Sequence, residues 1–340
     1  MENLPSIEIV MPTANRCGMN NEVKTTSQEI VSRLKLKEMG AVFGSIASPF
    51  IIIFSINRFV GFSDNLFELI LTLTVSIVFI LLLFFLIARE IMSSRKDKYA
   101  NITEKHHFCF HTTRDILSFL NELDAEQLTK QQKEHAFRVA TNGFIKVLDS
   151  VATIYSMLTG TRCRATIKTI YEKNGKLFVR TLARDSDSYE HNYDNDKKRF
   201  DDNQDAIEEN EDFELLYGDV KPGQSCFFSN NLIERRNYKT SSFKVYGDPN
   251  KEMGWYDRAF CKGWTLPYRG AIVWPIQQKE NRYFTFAAIG CIGFLAVDSG
   301  SRGVFKRNWD SWLGAGIADA IFHPINTLFN VIEQPKTEGT

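Results

Sequence analysis

The sequence has no net charge, since its 41 Lys and Arg residues balance 41 Asp and Glu residues over 340 positions. A nucleic-acid-binding domain usually carries a strong basic excess, so this balance argues against a nucleic-acid partner. The six cysteines are scattered without a C-x-x-C pair, which gives neither a zinc ribbon nor a disulfide framework. A G-x-S-x-G nucleophile elbow is also absent. We therefore expect no enzyme activity.

The N-terminal part contains two long apolar segments, residues 39–56 and 69–88. Each is long enough for a helix to cross a hydrocarbon core of roughly 30 Å. Basic residues flank the pair on both outer sides: Arg33, Lys35 and Lys37 before it, and Arg89, Arg95, Lys96 and Lys98 after it. The positive-inside rule then places both termini in the cytosol. We expect a cytosolic segment 1–38 and a transmembrane hairpin 39–88, and hence a multi-pass protein of the plasma (inner) membrane.

Small residues recur at every fourth position of the first apolar segment, at Gly40, Gly44 and Ser48. This spacing lets two helix backbones approach closely in lipid. Two interpretations stay open. The stripe packs against the second segment of the same hairpin, or it packs against another subunit.

A histidine-rich motif, HHFCFH, lies at residues 106–111. On a helix His107 and His111 share one face, as two metal ligands would, but Cys109 points away from them. The sequence contains no second ligand cluster to complete a metal site. We therefore favour a juxtamembrane aromatic patch over metal binding.

The pattern after the membrane segments is helical. Within a helical linker, residues 89–128, a short amphipathic helix is expected over 115–123 with Thr112 or Thr113 as its N-cap. Apolar residues then recur at helical spacing over 129–158, which predicts one long helix.

From residue 162 the period changes to two, which predicts a β-hairpin with its turn at Asn174-Gly175. The first strand alternates Cys163, Ala165 and Ile167 with Arg164, Thr166 and Lys168. The second strand is expected to place Leu177, Val179, Thr181 and Ala183 on one face. The acidic run 186–212 has no periodicity and predicts a flexible surface insertion. Calcium binding is the alternative for its carboxylates, although the EF-hand spacing is absent.

Two further strands and a closing helix are predicted. RGAIVWPI at 269–276 contains a V-x-P-I sequence, and GCIGFLAVDSGSRGVF at 290–305 contains G-F-L-A-V-D. The helix is expected to be interrupted at Pro324 and to bury one apolar face, which comprises Trp309, Trp312, Leu313, Ile317, Ala320 and Ile321.

In this order the elements resemble a GAF domain over roughly residues 130–330, and we assign 129–332 to a GAF-like sensor domain and 333–340 to a tail. The resemblance implies an α+β fold with an antiparallel sheet, helices on one face and a ligand pocket on the other. It also implies a homo-oligomer, because GAF domains commonly dimerise through their first and last helices. A few GAF-like proteins reduce methionine sulfoxide through cysteines, but no cationic setting for a reactive thiolate is visible in this sequence.

The resemblance further suggests where a ligand would bind, namely against the segments 226–230 and 255–264. Nine residues are candidates: Arg164, Lys168, Phe228, Asn230, Trp255, Tyr256, Arg258, Tyr268 and Trp274. Aromatic side chains among them could stack on a planar ligand and basic ones could meet an anion. Each aromatic could equally belong to the core. The N-K-F-D-E set of cyclic-nucleotide-binding GAF domains and a Cys-His pair for a bilin are absent, so the cofactor is unknown, with a nucleotide as one possible ligand.

No kinase, cyclase or DNA-binding segment is recognised after residue 332. We therefore expect a membrane-anchored sensor or effector whose GAF-like domain controls the hairpin. Such an arrangement is similar to the two-span effectors of prokaryotic antiviral signalling systems. The alternative is a regulatory anchor that recruits a separate output protein to the membrane.

Overall fold

The computed structural model describes residues 66–189, 205–217, 226–235, 238–248, 263–277 and 290–333, with side chains from Thr74 onward. The chain divides into two compact units, whose boundary falls between Ser94 and Arg95. Each unit is described separately. The first predicted span, residues 39–56, lies outside the described residues together with its small-residue stripe.

In the N-terminal unit, the described part is the beginning of helix α1, Leu66–Asn121. From Thr74 its apolar side chains are exposed on all sides, and Phe84 is 72% exposed. The most apolar window has a mean hydropathy of 2.5 and no buried residues. Within the described ranges this is the one helix that by length and composition could cross a membrane. The two-span topology and the cytosolic termini stay predictions.

The later part of α1 differs from the prediction of a separate helix over 115–123. The helix runs through Thr113 without a break, and the Thr113 hydroxyl donates to the carbonyl of Cys109 at 2.7 Å. A threonine bonded to the carbonyl four residues earlier sits inside a helix and does not cap one. Helix α2, Lys130–Thr159, begins one residue after the predicted start, and Thr129 is its N-cap, forming a capping box with Gln132.

The C-terminal unit is built on an antiparallel sheet of five strands within the described residues, in the order β2-β1-β5-β4-β3. The strands are β1 (Cys163–Lys173), β2 (Lys176–Arg184), β3 (Phe227–Ser229), β4 (Gly270–Ile276) and β5 (Gly293–Ser299). The predicted hairpin is β1 and β2, and Asn174 and Gly175 at its turn both have positive φ. The α+β class with an antiparallel sheet is thus confirmed.

One prediction about β2 is wrong because the hairpin contains a bulge. Ile167 pairs with Ala183 but Lys168 pairs with Thr181, which leaves Leu182 as an extra residue in β2. An extra residue reverses the alternation of faces beyond it. Leu182 and Ala183 therefore join the core between the sheet and the long helices, whereas Leu177 and Val179 pack on the opposite face.

Helices α2 and α5 (Arg307–Glu333) cover one face of the sheet. Helix α5 continues through Pro324, so the predicted interruption is wrong. The buried face of α5 runs through Ile317, Ile321 and Ile325, whereas Trp309 and Trp312 are 76% and 70% exposed. The sequence pattern placed both tryptophans on the buried face. Their exposure follows from Gly314, which lies against Trp274 and brings the neighbouring stripe of the helix to the sheet.

The opposite face of the sheet is covered by short elements: a 3-10 turn (Ile207–Glu209), helix α3 (Glu211–Tyr217), a second 3-10 turn (Leu232–Glu234) and helix α4 (Phe243–Tyr246). The carbonyl of Asp205 accepts the N–H of Val179 at 2.9 Å, and Ala206 bridges to Phe178. Ile207 is buried beside them. The flexible insertion predicted over 186–212 is therefore wrong for 205–212, while 190–204 lie outside the described residues.

Candidate ligand-binding cavity

A cavity of about 120 Å³ opens on the face of the sheet opposite α2 and α5. Its floor comes from β1, β4 and β5, and its far wall from α3 and the segment around α4. The lining residues are Arg164, Thr166, Lys168, Arg184, Asn210, Asp212, Phe213, Thr240, Ser241, Ser242, Val245, Tyr246, Pro267, Tyr268, Ala271, Val273, Ala296, Val297 and Asp298. A wider hollow of about 490 Å³ adjoins it and shares Arg164, Tyr246 and Pro267.

Cationic side chains follow the first strand across the cavity. Alternation along β1 brings Arg164, Thr166 and Lys168 to one face, as predicted, and Arg184 of β2 pairs with Thr166 across the ladder. The Arg184 guanidinium donates to the Thr166 hydroxyl at 3.2 Å. Three positive charges therefore lie along a single face of two neighbouring strands.

Two of these cations meet carboxylates. Arg164 donates to Asp298 of β5 through Nε at 2.8 Å and through Nη2 at 2.5 Å. Lys168 lies 3.5 Å from Asp205 and its ammonium sits 5.7 Å from the centre of the Phe213 ring. Burial raises the pKa of Asp298, while the adjacent Arg164 opposes that shift. An incoming anion would therefore compete with Asp298 for Arg164.

Asp212 is the second carboxylate that lines the cavity, beside Asp298, and is only 8% exposed. It accepts the N–H of Phe213 at 3.1 Å and forms no salt bridge with a described residue. Burial raises its pKa to about 6, and the charge of Lys168 opposes the rise. Tyr268 stands near it, and burial together with Asp212 raises the pKa of that phenol to about 12, so Tyr268 is neutral at physiological pH.

The buried side-chain amide of Asn210 holds together the two segments that form the far wall of the cavity. The Asn210 side chain donates to the carbonyl of Ala206 at 2.7 Å, and its oxygen accepts from the N–H and hydroxyl of Ser241, both at 3.0 Å. The Ser241 hydroxyl also lies 2.6 Å from Asp205, so its single proton is shared between Asp205 and Asn210. These bonds hold the segment 205–210 against the hydroxyl-bearing residues before α4.

The predicted site residues divide into three groups. Arg164, Lys168 and Tyr268 line the cavity. Phe228, Asn230 and Trp274 do not, as their contacts below explain. Trp255, Tyr256 and Arg258 lie outside the described residues.

Trp274 is a core residue, because it is fully buried and its indole N–H donates to the carbonyl of Ser311 at 2.7 Å. Phe228 packs against the same helix-side core. The Asn230 side chain binds the backbone of Phe305, donating at 2.6 Å and accepting at 2.8 Å. The structure thus gives these three residues structural contacts and places the cavity away from them.

Sequence reasoning missed the far wall, above all Asn210, Asp212 and Ser241. Carboxylates dominate the composition of their segment, which predicts a flexible surface insertion. Two apolar residues within it, Ile207 and Phe213, were the signal that it packs on the sheet. Arg184 was missed because the bulge cannot be read from the alternation of β2.

The histidines of the HHFCFH motif and the described cysteines lack the arrangement that metal binding or thiol chemistry requires. His107 and His111 share a face with their Nε2 atoms 2.8 Å apart, and Cys109 is buried away from them, but the described residues contain no cluster of three metal ligands. Burial raises the pKa of Cys109 to about 12 and of Cys291 to about 11. Thiols with such pKa values carry little reactive thiolate.

The comparisons with known proteins identify neither a family nor a function. No protein-family model matches the sequence, and no curated protein matches it. Among solved structures, the GAF domain of an Acinetobacter phosphoenolpyruvate-protein phosphotransferase is similar, at 10% identity and a TM-score of 0.30, over 64% of this chain and 91% of that one. A similarity this remote assigns this chain neither a family nor a function, and the structure itself shows an antiparallel sheet with long helices on one face and the cavity on the other.

Proposed function

We propose that the chain is a membrane-anchored small-molecule sensor or effector whose GAF-like domain binds its ligand in the cavity and controls the membrane hairpin. The observation that carries the proposal is the row of Arg164, Lys168 and Arg184 beneath a wall of hydroxyl groups. A concave site with a few converging polar groups is the usual form of a ligand site. The long apolar start of α1 supports attachment to a membrane.

The proposal extends to the oligomeric state, the cellular location and the effect of the ligand. The chain acts as a homo-oligomer at the plasma (inner) membrane, with both termini in the cytosol, and a bound ligand alters the hairpin. Antiviral defence is the setting we propose, because the arrangement is similar to two-span effectors of such systems. The second candidate is a regulatory anchor, favoured by the large exposed tryptophans of α5, which offer a surface for a separate output protein.

Native mass spectrometry of the full-length protein, purified from cells in detergent, tests ligand binding. We expect a bound small molecule in the wild type that is lost in Arg184→Gln, because Arg184 lies in the cavity. Arg138→Gln is the matched control, since Arg138 is exposed on α2. A small molecule that stays bound to Arg184→Gln would overturn the assignment of the cavity.

A growth assay separates the two functions. Overexpression should be toxic if the hairpin is the output, and removal of residues 69–88 should abolish the toxicity. Harmless overexpression together with co-purification of a soluble enzyme would instead support the regulatory anchor.

A further inference from the structure

Trp309 and Trp312 form an exposed apolar patch at the start of α5. They are three residues apart, so the two indoles lie on neighbouring positions of one helix face. An indole combines a large apolar surface with an N–H donor, and Trp is enriched at membrane–water interfaces for that reason. The patch therefore suits the boundary between water and an apolar phase.

Basic side chains precede the patch in the chain and lie beside it. Arg302, Lys306 and Arg307 are all exposed. The carbonyl of Lys306 accepts the N–H of Trp309 at 3.1 Å, so Lys306 lies one turn before that tryptophan. The Arg307 guanidinium lies 5.8 Å from the centre of the Phe228 ring.

Negative charge is buried in the same segment. Asp310 is the only acidic residue between positions 300 and 318. It is 3% exposed, and its carboxylate accepts the N–H of Lys306 at 2.7 Å. The exposed charges of this segment are thus all positive, which is complementary to a surface of anionic lipid headgroups.

A second copy of the chain fits the patch less well than a membrane does. In a two-fold symmetric dimer the same surface of both subunits meets, so the basic side chains of one subunit would face those of the other. An anionic bilayer has the opposite charge. A chain anchored in that bilayer also holds the patch near its surface at a high effective concentration, so a modest affinity is sufficient.

Resting on the membrane attachment of the proposed function, and independently of the cavity, we propose that residues 302–312 form a docking face for an anionic membrane surface. Trp309 and Trp312 enter the interfacial layer of the bilayer, and Arg302, Lys306 and Arg307 contact the headgroups. Each basic residue near such a surface strengthens binding about fivefold.

Quenching of tryptophan fluorescence by brominated lipids tests the docking face in the full-length protein. All five tryptophans lie at position 255 or later, so neither predicted span contributes to the signal. The protein is reconstituted in nanodiscs of brominated phosphatidylcholine, with or without phosphatidylglycerol. We expect strong quenching in the anionic nanodiscs and weaker quenching in the neutral ones. Trp309→Phe, Trp312→Phe should lose most of the quenching.

A pair of charge variants keeps both tryptophans as reporters. Lys306→Gln, Arg307→Gln should weaken docking about 25-fold, so that quenching in anionic nanodiscs falls towards the neutral level. Arg138→Gln, Lys146→Gln is the matched control, because it removes two charges from exposed positions of α2 and should leave the quenching unchanged. Melting temperatures equal to that of the wild type verify that both variants are folded.

Three results overturn the docking face: no quenching in the wild type, quenching that persists without the two tryptophans, or equal quenching in neutral and anionic nanodiscs. Dissociation of the oligomer by Trp309→Gln, Trp312→Gln in native mass spectra would instead assign the patch to a second copy. A soluble protein that co-purifies with the wild type and not with this variant would assign it to the regulatory anchor. In each case, recovery of the chain in the membrane fraction after alkaline extraction would still uphold membrane attachment.

Discussion

The side chain of Asn210 joins the segment before α3 to the segment before α4, through bonds to Ala206 and Ser241. Truncation would leave the buried N–H of Ser241 without a partner, at a cost of about 1–3 kcal/mol, and would remove one bond to the Ala206 carbonyl, which still accepts the N–H of Glu209, at a cost of about 1 kcal/mol. We expect Asn210→Ala to lower the free energy of unfolding by about 2–4 kcal/mol. Thermal denaturation of the full-length protein measures the effect, with the exposed Asn330→Ala as control. Equal melting temperatures for the two variants would contradict the contacts described.

Two glycines of α5 form a matched pair. A Cβ on Gly314 would overlap the ring of Trp274, whereas a Cβ on Gly316 would meet nothing within 4 Å. Alanine favours a helix interior over glycine by about 1 kcal/mol. We therefore expect Gly316→Ala to raise the melting temperature. We expect Gly314→Ala to lower it, because overpacking against Trp274 reduces the free energy of unfolding by about 1–3 kcal/mol. If both substitutions stabilise the protein, α5 does not lie against Trp274 as described.

The pH dependence of stability reports on Asp212. Its folded-state pKa is raised by burial to about 6, against about 3.9 in an unfolded chain, so the folded state holds the proton more tightly. Stability from this group is therefore highest below pH 4 and is lost as pH rises through 6, by about 2–3 kcal/mol in total. The titratable groups that interact electrostatically with Asp212 are Lys168, Glu211, Tyr238 and Tyr268.

Comparison of the wild type with Asp212→Asn removes the contribution of those other groups. Between pH 5 and pH 7.5 the wild type should lose more stability than the variant. Parallel curves for the two proteins would show that Asp212 titrates normally in the fold.

At the level of elements, strand β1 was predictable and strand β2 was not. The alternation of β1 is regular, so its cavity face could be read from the sequence, including Arg164 and Lys168. In β2 the bulge at Leu182 depends on pairing with β1, and pairing is a long-range property that periodicity does not record. For the same reason Arg164 and Lys168, two of the three cations that line the cavity, were site candidates from the sequence, whereas Arg184 was not.

The closing helix shows a second limit of pattern reading. Its apolar residues occupy more than one face, so periodicity alone could not decide which face lies on the sheet. We expect the double variant Trp309→Gln, Trp312→Gln to change the free energy of unfolding by less than about 1 kcal/mol, because both side chains are exposed. Ile321→Ala, at a fully buried position, should cost about 2–5 kcal/mol. Chemical denaturation of the variants checks both values, and a large loss in the tryptophan variant would contradict the orientation of α5.

For the whole molecule, a ligand controls the membrane segment only if it binds two states of the protein with different affinity. A nearly complete switch from 1:99 to 99:1 requires about 5.5 kcal/mol of difference, summed over the subunits of an oligomer. Cavity variants and membrane variants should therefore disable the same output by separate routes. Arg184→Gln removes ligand affinity, whereas Gly44→Leu places a bulky side chain in the predicted close-packed stripe of the first span.

We expect both variants to abolish toxicity in cells while expression and membrane insertion are preserved, and Arg138→Gln to remain toxic. Gly44→Leu should still bind the cavity ligand, because Gly44 lies in the predicted first span and the cavity belongs to the unit that begins at Arg95. Growth curves, membrane fractionation and native mass spectrometry on the same strains measure the three properties. Retention of toxicity by Gly44→Leu, with loss in Arg184→Gln, would mean that the output does not pass through the stripe, and the regulatory anchor would then be the better description of the membrane segment.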